Sequence, residues 1–351
     1  MLALVQAALT EGLVVSVLVP DGLCATKLSS LGVHVILIPE VRLSQGKKSI
    51  VDICRFLINS LCTFTKHFCV LRKADLVYVN GNRLLPVALL AVILLGKNAA
   101  FHIHLNHEAT ELWLFLQTLR LKRTKAIIVP SPFVQRMLVD FDSRFKDPRV
   151  CLIENGLDSR FANAPFKDVF TGIPLRHIGI VGRVSPEKGQ DVLPSLARNF
   201  PQLTFHVLGD SAFSDDTFAQ KLISDAPENV IFHGWIDDIP SKVNEIGLQV
   251  CLVPSRVCES SSLVSMQMTA LGILVLVRMK GALEDLSREL GLDAFVVDED
   301  ITELLRQLMK SSDTELSVRS RKSYGNAIAL YGFATFQQRL RSLLRSLVKE
   351  K

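Results

Sequence analysis

The sequence has 351 residues, of which 48% are hydrophobic and 21% are charged, and a chain of this length and composition favours two globular domains over one. Its net charge of +5 comes without an Arg/Lys-rich tract, which argues against nucleic acid as a partner and fits an anionic ligand or a loose membrane contact. The seven cysteines form no C-x-x-C pair, so we expect a cytoplasmic protein with reduced thiols, and Cys54, Cys62 and Cys69 packed along a helix.

The first half of the chain alternates apolar, strand-like runs with helical stretches. The predicted strands are residues 13–19, 33–38, 76–79, 99–104, 126–129 and 150–153. The longest apolar run, residues 84–95, is too short to span a bilayer and predicts a core helix. Strands separated by helices indicate a parallel sheet covered on both faces. We therefore predict a doubly wound α/β domain over residues 1–157, with its functional residues just after the strands.

One of these strands ends in a histidine-rich segment that reads H-I-H-L-N-H-E, from His102 to Glu108. Strand alternation places His102 and His104 on one face and His107 in the following loop. Three interpretations stay open: structural histidines, metal ligands together with Glu108, or residues beside a bound substrate. The spacing does not match a zinc site carried on a helix.

A polar segment at residues 158–176 interrupts the alternation and predicts a linker. The pattern then restarts over residues 177–332. The strands predicted for this half are residues 178–181, 203–208, 230–232, 248–253, 273–277 and 294–297. They predict a second doubly wound domain, which would face the first across a ligand cleft. The last residues, 333–351, predict an amphipathic basic helix that packs back on the first domain.

The clearest candidate site in the second half is a strand, loop and helix at residues 250–272. A Pro-Ser loop leads to Glu259, and the three serines at 260–262 open the helix. A helix N-terminus offers free backbone N–H groups and the positive end of the helix dipole to an anion. With a carboxylate beside it, this unit predicts a ligand that has both phosphate and hydroxyl groups.

A second loop, at residues 179–189, reads G-I-V-G-R-V-S-P-E-K-G. Gly182 permits close backbone approach, while Arg183 and Lys188 offer a forked and a point cation to one anion. The spacing is not that of a P-loop, and a solvated loop is the alternative interpretation. Because both loops follow strands of one predicted sheet, a shared diphosphate site is favoured.

Two acidic strings and one basic run have simpler explanations. Residues 140–142 lie at a predicted helix exit, and residues 298–300 precede a helix that Asp300 would cap together with Glu303. We predict that both strings are structural. The basic run at residues 120–125 is either a solvated helix end or a peripheral contact with anionic lipid.

Taken in order, the motifs of the second half resemble the donor domain of the retaining nucleotide-sugar glycosyltransferases with the two-domain GT-B fold, in the large sucrose-synthase and mannosyltransferase-like group (glycosyl transferases group 1). The residues that carry the resemblance are Gly182-Arg183, Lys188-Gly189, Gly209-Asp210, residues 229–234 and Pro254-Ser255 with Glu259. It continues into the first half, where Ser131 opens a helix and residues 153–158 resemble the family's N-G-V-D turn. The resemblance implies two Rossmann-like domains.

The resemblance also implies a role for each matching residue. The residues it assigns to the donor diphosphate are Gly182, Arg183, Lys188, Ser261, Ser262, Leu263 and Val264. Glu259 would contact hydroxyls of the transferred sugar, and His104 would lie near the reacting sugar, both as catalytic residues. The family's ribose-binding carboxylate falls on Gln267, which can accept a hydrogen bond but lacks the charge. The resemblance places the family's Gly-Gly motif at Lys280-Gly281 and the acidic residue of the same motif at Glu284.

The function implied is transfer of a sugar, with retention, from a nucleoside diphosphate sugar to a cell-surface glycan or a lipid-linked acceptor. The protein would act in the cytoplasm or at the inner face of the plasma membrane. Arg183, Lys188 and the helix N-terminus would neutralise the diphosphate, so no metal or other cofactor is expected.

Two alternatives to a glycosyltransferase remain. The first is a non-catalytic sugar-nucleotide-binding relative, suggested by Gln267 and by the absence of the family's first strand and Gly-rich loop before the helix at residues 1–12. On this point we expect either a start codon upstream or an incomplete cleft. The second alternative is a sugar-nucleotide epimerase on the same fold.

Overall fold

The structure is a computed structural model that describes residues 1–40, 50–104, 109–211 and 216–348. His107 and Glu108 of the histidine-rich segment lie outside the described residues. The chain divides into two compact units. Unit 1 comprises Met1–Glu154 and Phe336–Lys351, and unit 2 comprises Asn155–Thr335.

Unit 1 alternates parallel strands with helices. Its strands are β1 (Ser16–Pro20), β2 (His34–Ile38), β3 (Leu76–Asn80), β4 (Asn98–His102), β5 (Thr124–Val129) and β6 (Val150–Leu152). Its helices are α1 (Leu2–Thr10), α2 (Leu23–Ser29), α3 (Ile50–Lys66), α4 (Phe68–Lys73), α5 (Leu85–Leu95), α6 (Ala109–Leu119) and α7 (Pro132–Phe141). Strand β1 pairs with β2, and the strands β3, β4, β5 and β6 form a separate parallel sheet in that order.

The sheet of β3 to β6 is buried on both faces, as a doubly wound domain requires. Alternation along β4 puts Phe101 in the core beneath α5, α6 and α7, and puts Ala100 in a second core on the opposite face. That second core is completed by leucines at helical spacing, including Leu340 and Leu344. They belong to the C-terminal helix, α16 (Phe333–Val348).

The predicted core helix at residues 84–95 is present as α5, although Ile93 and Leu94 at its end are exposed. All seven cysteines are free. Cys54, Cys62 and Cys69 lie on α3 and α4 but are exposed rather than packed, so the prediction that they pack along a helix is wrong. Their helices bury other faces, as described below for α3.

Unit 2 repeats the alternation. Its strands are β7 (His177–Val181), β8 (Thr204–Leu208), β9 (Val230–Phe232), β10 (Val250–Val253), β11 (Leu274–Arg278) and β12 (Asp293–Phe295). Its helices are α8 (Ser159–Ala162), α9 (Leu193–Asn199), α10 (Asp216–Asp225), α11 (Ile239–Ile246), α12 (Leu263–Thr269), α13 (Ala282–Leu290), α14 (Asp298–Lys310) and α15 (Asp313–Tyr331), and α16 (Phe333–Val348) follows them.

The strands of unit 2 form one parallel sheet in the order β12-β11-β10-β7-β8-β9. The chain builds outward from β7 through β8 to β9, and then crosses to the other side of β7 to lay down β10. The order therefore reverses between β7 and β10. In open α/β sheets, a reversal of this kind leaves a crevice outside the carboxyl ends of the two strands, and ligands bind there.

Helix α14 begins at Asp298, which places Asp300 in its first turn rather than before it. The Asp300 carboxylate accepts hydrogen bonds from the backbone N–H groups of Val296 and Val297, each at 3.1 Å. Asp300 is thus structural, but the predicted capping partnership with Glu303 is wrong, because the helix starts three residues earlier than the motif suggested.

Three histidines form a hydrogen-bonded chain across β7, β8 and β9. His177 Nδ1 lies 3.0 Å from His206 Nε2, and His206 Nδ1 lies 3.0 Å from His233 Nε2. Burial is the main cause that lowers the pKa of all three histidines. The charge of Arg176 lowers the pKa of His177 further. The charge of Lys242 lowers the pKa of His233, while the charge of Glu245 raises it. For the central His206, burial and the two neighbouring histidines lower the pKa to about 4.

Acid should destabilise unit 2 through His206. The unfolded state binds the proton more readily, so this residue's contribution to the free energy of unfolding is full above about pH 6.5 and falls as the pH drops to about 4. Because glutamine does not titrate, we expect the free energy of unfolding of His206→Gln to decrease on the order of 2–3 kcal/mol less than that of the unaltered protein over this pH range. Urea unfolding across this pH range measures it. His34→Gln, at an exposed histidine of unit 1, is the control, and an unchanged pH slope in His206→Gln would contradict the expectation.

Candidate functional site

The loops that follow β7 and β10 are locked together at the point where the strand order reverses. Glycine is required at residue 189, because its φ is +73° and a Cβ there would lie 2.4 Å from the carbonyl oxygen of Pro254. The backbone N–H of Arg256 also donates to the carbonyl of Glu187 at 2.8 Å. The two candidate loops predicted from the sequence are therefore in direct contact.

At this junction Lys188 and Glu259 form an ion pair, with 2.7 Å between Lys188 Nζ and Glu259 Oε1. The Lys188 side chain is 33% exposed and the Glu259 side chain only 9%. Ser255 Oγ donates to the same Oε1 atom. Because both bonds go to Oε1, the second carboxylate oxygen of Glu259 is engaged by neither, and a mostly buried carboxylate is held in one orientation.

The backbone of Glu259 is fixed from a third direction, by the loop after β11. The N–H of Ala282 donates to the Glu259 carbonyl at 2.9 Å, and Glu259 forms a parallel bridge with Gly281. A Cβ at Gly281, whose φ is +65°, would lie 2.9 Å from the Glu259 nitrogen. Residue 281 therefore has to be a glycine for the backbone of Glu259 to lie this close.

The loop after β7 is shaped by a second close approach between glycines. A Cβ at Gly209 would lie 2.0 Å from the carbonyl oxygen of Gly182, so the segments that follow β7 and β8 run in contact. Val184 N–H donates to the Asp210 carbonyl at 2.8 Å. Arg183 lies between these contacts with its side chain exposed, and a guanidinium held on a fixed backbone can bind an anion with two parallel hydrogen bonds.

Gln190 is fully buried beneath this loop and was not among the site residues predicted from the sequence. Its Nε2 donates to the Arg183 carbonyl at 2.7 Å, and its Oε1 accepts from the Ser185 N–H at 3.3 Å. Ser255 was not among those predicted residues either. Two features of the sequence could have indicated these roles. Gln190 comes directly after Lys188-Gly189, and Ser255 stands four residues before Glu259.

The Ser-rich segment opens α12 at Leu263, a helix of seven residues. Ser262 is its N-cap and is almost completely buried, with Oγ accepting from the Ser265 N–H at 3.4 Å and lying 2.9 Å from Ser265 Oγ. The Ser262 hydroxyl is thus occupied in capping. Leu263 is exposed, and the remaining site residues of this segment are partly exposed: Ser261, Val264 and Gln267.

In unit 1, His102 and His104 follow each other at the end of β4 with ring centroids 4.0 Å apart. His102 is buried, and its Nδ1 lies 2.8 Å from the Tyr78 hydroxyl. Burial raises the pKa of Tyr78 and, together with His104, lowers that of His102 well below its ordinary value. His102 is therefore a neutral structural histidine. His104 Nε2 lies 2.7 Å from Asn80 Oδ1, and an amide oxygen accepts, so Nε2 carries the proton.

The remaining acidic and basic motifs of the first half lie at turns. Asp142 caps the turn after α7, and the Arg144 guanidinium lowers the pKa of its carboxyl to about 2. Arg120, Lys122 and Arg123 are exposed in the turn between α6 and β5. Within the described part of the chain, no three His, Cys, Asp or Glu side chains are grouped so that they could hold a metal ion. No helix there has both the length and the apolar content needed to cross a bilayer.

Residues 176–312, most of unit 2, match the family described as glycosyl transferases group 1. A curated protein of Klebsiella pneumoniae, named an uncharacterized 41.2 kDa protein in the cps region, is 25% identical over 206 residues, or 57% of this chain and 55% of that protein. The chain thus spans about half the length of the curated relative it matches.

Two solved structures are similar over nearly the whole chain. Anabaena HepE in complex with UDP and glucose has a TM-score of 0.77 and 18% identity, covering 98% of this chain and 95% of that one. Sucrose-phosphate synthase of Thermosynechococcus elongatus has a TM-score of 0.76 and 16% identity, covering 99% and 92%. At such identities the likeness shows the fold alone, and it confirms the predicted GT-B architecture of two Rossmann-like α/β domains.

The close approach at Gly189 gives a stability test. Gly189→Ala should lower the free energy of unfolding by about 3 kcal/mol or more, because the Cβ would both occupy a left-handed backbone position and overlap Pro254. The matched control is Gly247→Ala, at φ +63° with nothing within 4 Å of the added Cβ, which should cost only about 1 kcal/mol. Denaturant unfolding compares the two, and equal losses would mean that the two loops do not meet at this point.

Proposed function

We propose that the protein is a retaining glycosyltransferase, because residues 176–312 match the family described as glycosyl transferases group 1. Its reaction is the transfer of a sugar from a nucleoside diphosphate sugar to a hydroxyl of an acceptor. The observation that carries the proposal is the pairing of Lys188 with Glu259 where the strand order of unit 2 reverses. That pairing places a cation suited to a diphosphate beside a carboxylate suited to sugar hydroxyls.

In the proposed site the donor diphosphate is bound by Arg183 and Lys188. Gly182 allows the phosphate close to the backbone, and the N–H groups of residues 261–264 at the start of α12 add further donors. These positive groups oppose the negative charge that builds on the departing phosphate, which is the main way in which a pre-formed site lowers such a barrier. The proposal therefore includes no metal ion and no other cofactor.

Glu259 is proposed to orient the transferred sugar. Its Oε1 atom is held by Lys188 and Ser255, and its Oε2 atom would accept from hydroxyls of the sugar. We propose a front-face reaction, in which the departing phosphate takes the proton of the acceptor hydroxyl and the protein positions the reactants. His104 is proposed to contact the reacting sugar, and this assignment rests on the family resemblance.

The donor and the acceptor are proposed from different sources. HepE is solved with UDP and glucose, so a UDP-sugar is the first donor to test. The Klebsiella relative is named for a cps region, which supports a role in making a cell-surface polysaccharide on a glycan or lipid-linked acceptor. We propose that the reaction takes place in the cytoplasm, at the inner face of the plasma membrane.

A non-catalytic sugar-nucleotide-binding protein is the second candidate, and Gln267 is the observation that favours it. Gln267 lies on α12, partly exposed, where the family resemblance places a carboxylate for the ribose hydroxyls. A neutral amide makes a weaker hydrogen bond to a hydroxyl than a carboxylate does. Nucleotide binding measured by calorimetry, together with no hydrolysis or transfer of any nucleotide sugar in a broad panel, would support this candidate and overturn the enzyme.

The proposed enzymatic function predicts that activity falls strongly when either partner of the ion pair is removed. Lys188→Ala and Glu259→Ala should each lower kcat/KM for the donor by about 10²–10³-fold, because each removes a group that contacts the reacting part of the donor. The matched control is Lys242→Ala, which removes another Lys–Glu pair of unit 2, with Glu245 at 2.5 Å. Full turnover in both site variants would rule out the proposed roles of Lys188 and Glu259.

Restoring the carboxylate on α12 should strengthen nucleotide binding. We expect Gln267→Glu to lower the Kd for UDP about three- to tenfold, since a charge-assisted hydrogen bond to a ribose hydroxyl is roughly twice as strong as a neutral one. Gln220→Glu adds the same charge at an exposed position on α10 and should leave the Kd unchanged. Weaker binding in Gln267→Glu would show that residue 267 does not face the ribose.

A further inference from the structure

Helix α3 of unit 1 exposes a continuous apolar face to solvent. The side chains of Val51, Leu57, Ile58 and Leu61 are between 53% and 60% exposed. Their spacing along the helix places them on one side, where Cys54 and Cys62 are exposed as well. We call these residues the α3 face. A run of large exposed apolar side chains on a single element is unusual in soluble proteins and marks an interaction surface.

The α3 face is not the face by which the helix is packed into the fold. Ser60, Thr63 and Phe64 are buried on a different side of α3, and Phe64 shares a core cluster with Val87 and Ala91 of α5. The helix thus has two apolar sides, one satisfied by α5 and one open. The open side runs from Val51 to Cys62 and is about 17 Å long.

Basic side chains border the α3 face. Segment 50–73, which forms α3 and α4, contains Arg55, Lys66, Arg72 and Lys73 and a single acidic residue, Asp52, so that four positive and one negative charge leave +3. All four basic residues are exposed. Arg55 and Lys66 lie along one flank of the α3 face by helical spacing, and Arg72 and Lys73 lie at the end of α4.

We propose that the α3 face docks this protein on an anionic lipid surface. Apolar side chains along one side of a helix enter the boundary between headgroups and acyl chains, while Lys and Arg at the border bind the headgroup phosphates. Phe68 at the start of α4 is also exposed. The charge favours lipid over a second copy, because a segment with a net charge of +3 is complemented by anionic headgroups and not by an identical segment.

This inference does not depend on the proposed enzymatic function, since it concerns binding to lipid without any nucleotide sugar. It also differs from a contact through the basic run at residues 120–125, which offers charge with a smaller apolar surface. The two surfaces can be separated by mutation, because they lie on different elements of unit 1.

The test is sedimentation of the whole protein with lipid vesicles. The probes are vesicles of phosphatidylcholine alone and of phosphatidylcholine with about 30% phosphatidylglycerol. Ile58→Gln/Leu61→Gln changes the α3 face while keeping good helix formers. The control, Ile223→Gln/Val318→Gln, changes two helical residues of unit 2 that are equally exposed, at 56% and 62%. A third variant replaces Arg120, Lys122, Arg123 and Lys125 with Ser.

We expect the unaltered protein to bind the anionic vesicles more tightly than the neutral ones, and salt to weaken the binding. The α3 variant should bind at least about tenfold more weakly, because two buried apolar side chains are lost from the interface, while the control should bind as before. Loss of binding in the 120–125 variant alone, or no vesicle binding by the unaltered protein, would overturn the proposal. A dimer that the α3 variant dissociates, with vesicle binding unchanged, would assign the α3 face to a second copy instead.

Discussion

The candidate site depends on the close approach of two backbones, at Gly189 and Pro254. A side chain larger than hydrogen at residue 189 would overlap the Pro254 carbonyl, so the loops after β7 and β10 can meet only because glycine stands there. That contact brings Lys188 to Glu259. The ion pair in turn fixes the mostly buried carboxylate of Glu259, with Ser255 holding the same oxygen. The chemistry proposed for the protein thus begins with a steric requirement rather than with a charge.

Several residues around this junction serve the backbone and not the ligand. Gln190 ties the loop after β7 to itself, Gly281 admits the Glu259 backbone, and the Ser262 hydroxyl caps α12. A site built in this way holds its polar groups in place before a ligand arrives, which lowers the free-energy cost of binding and of charge stabilisation. Since the Ser262 hydroxyl caps α12, Ser262 is proposed to serve the diphosphate site through its backbone N–H.

Two helices of unit 1 that carry large apolar side chains, α3 and α5, differ in how they are covered. Helix α5 is apolar throughout and is covered along most of its length, whereas α3 has one covered side and one open side. The sequence predicts a core helix at residues 84–95 and predicts that the cysteines at 54, 62 and 69 are packed. Only the position of each helix against its neighbours separates a core element from an exposed surface, which is why the cysteines on α3 were wrongly predicted to be packed.

The sequence by itself determined the elements and the residue types of the candidate site. Apolar runs and Gly/Pro punctuation located the strands of both units, and the spacing of Arg183, Lys188 and Glu259 identified the resemblance to a family. These signals are local, since the period of a strand or helix is written in neighbouring residues. The tertiary structure alone decided which strands are neighbours, and therefore that Lys188 and Glu259, 71 residues apart, form an ion pair. It also decided that Asp300 caps from within its helix and that the α3 face is open, because burial and strand order depend on parts of the chain that no local pattern describes.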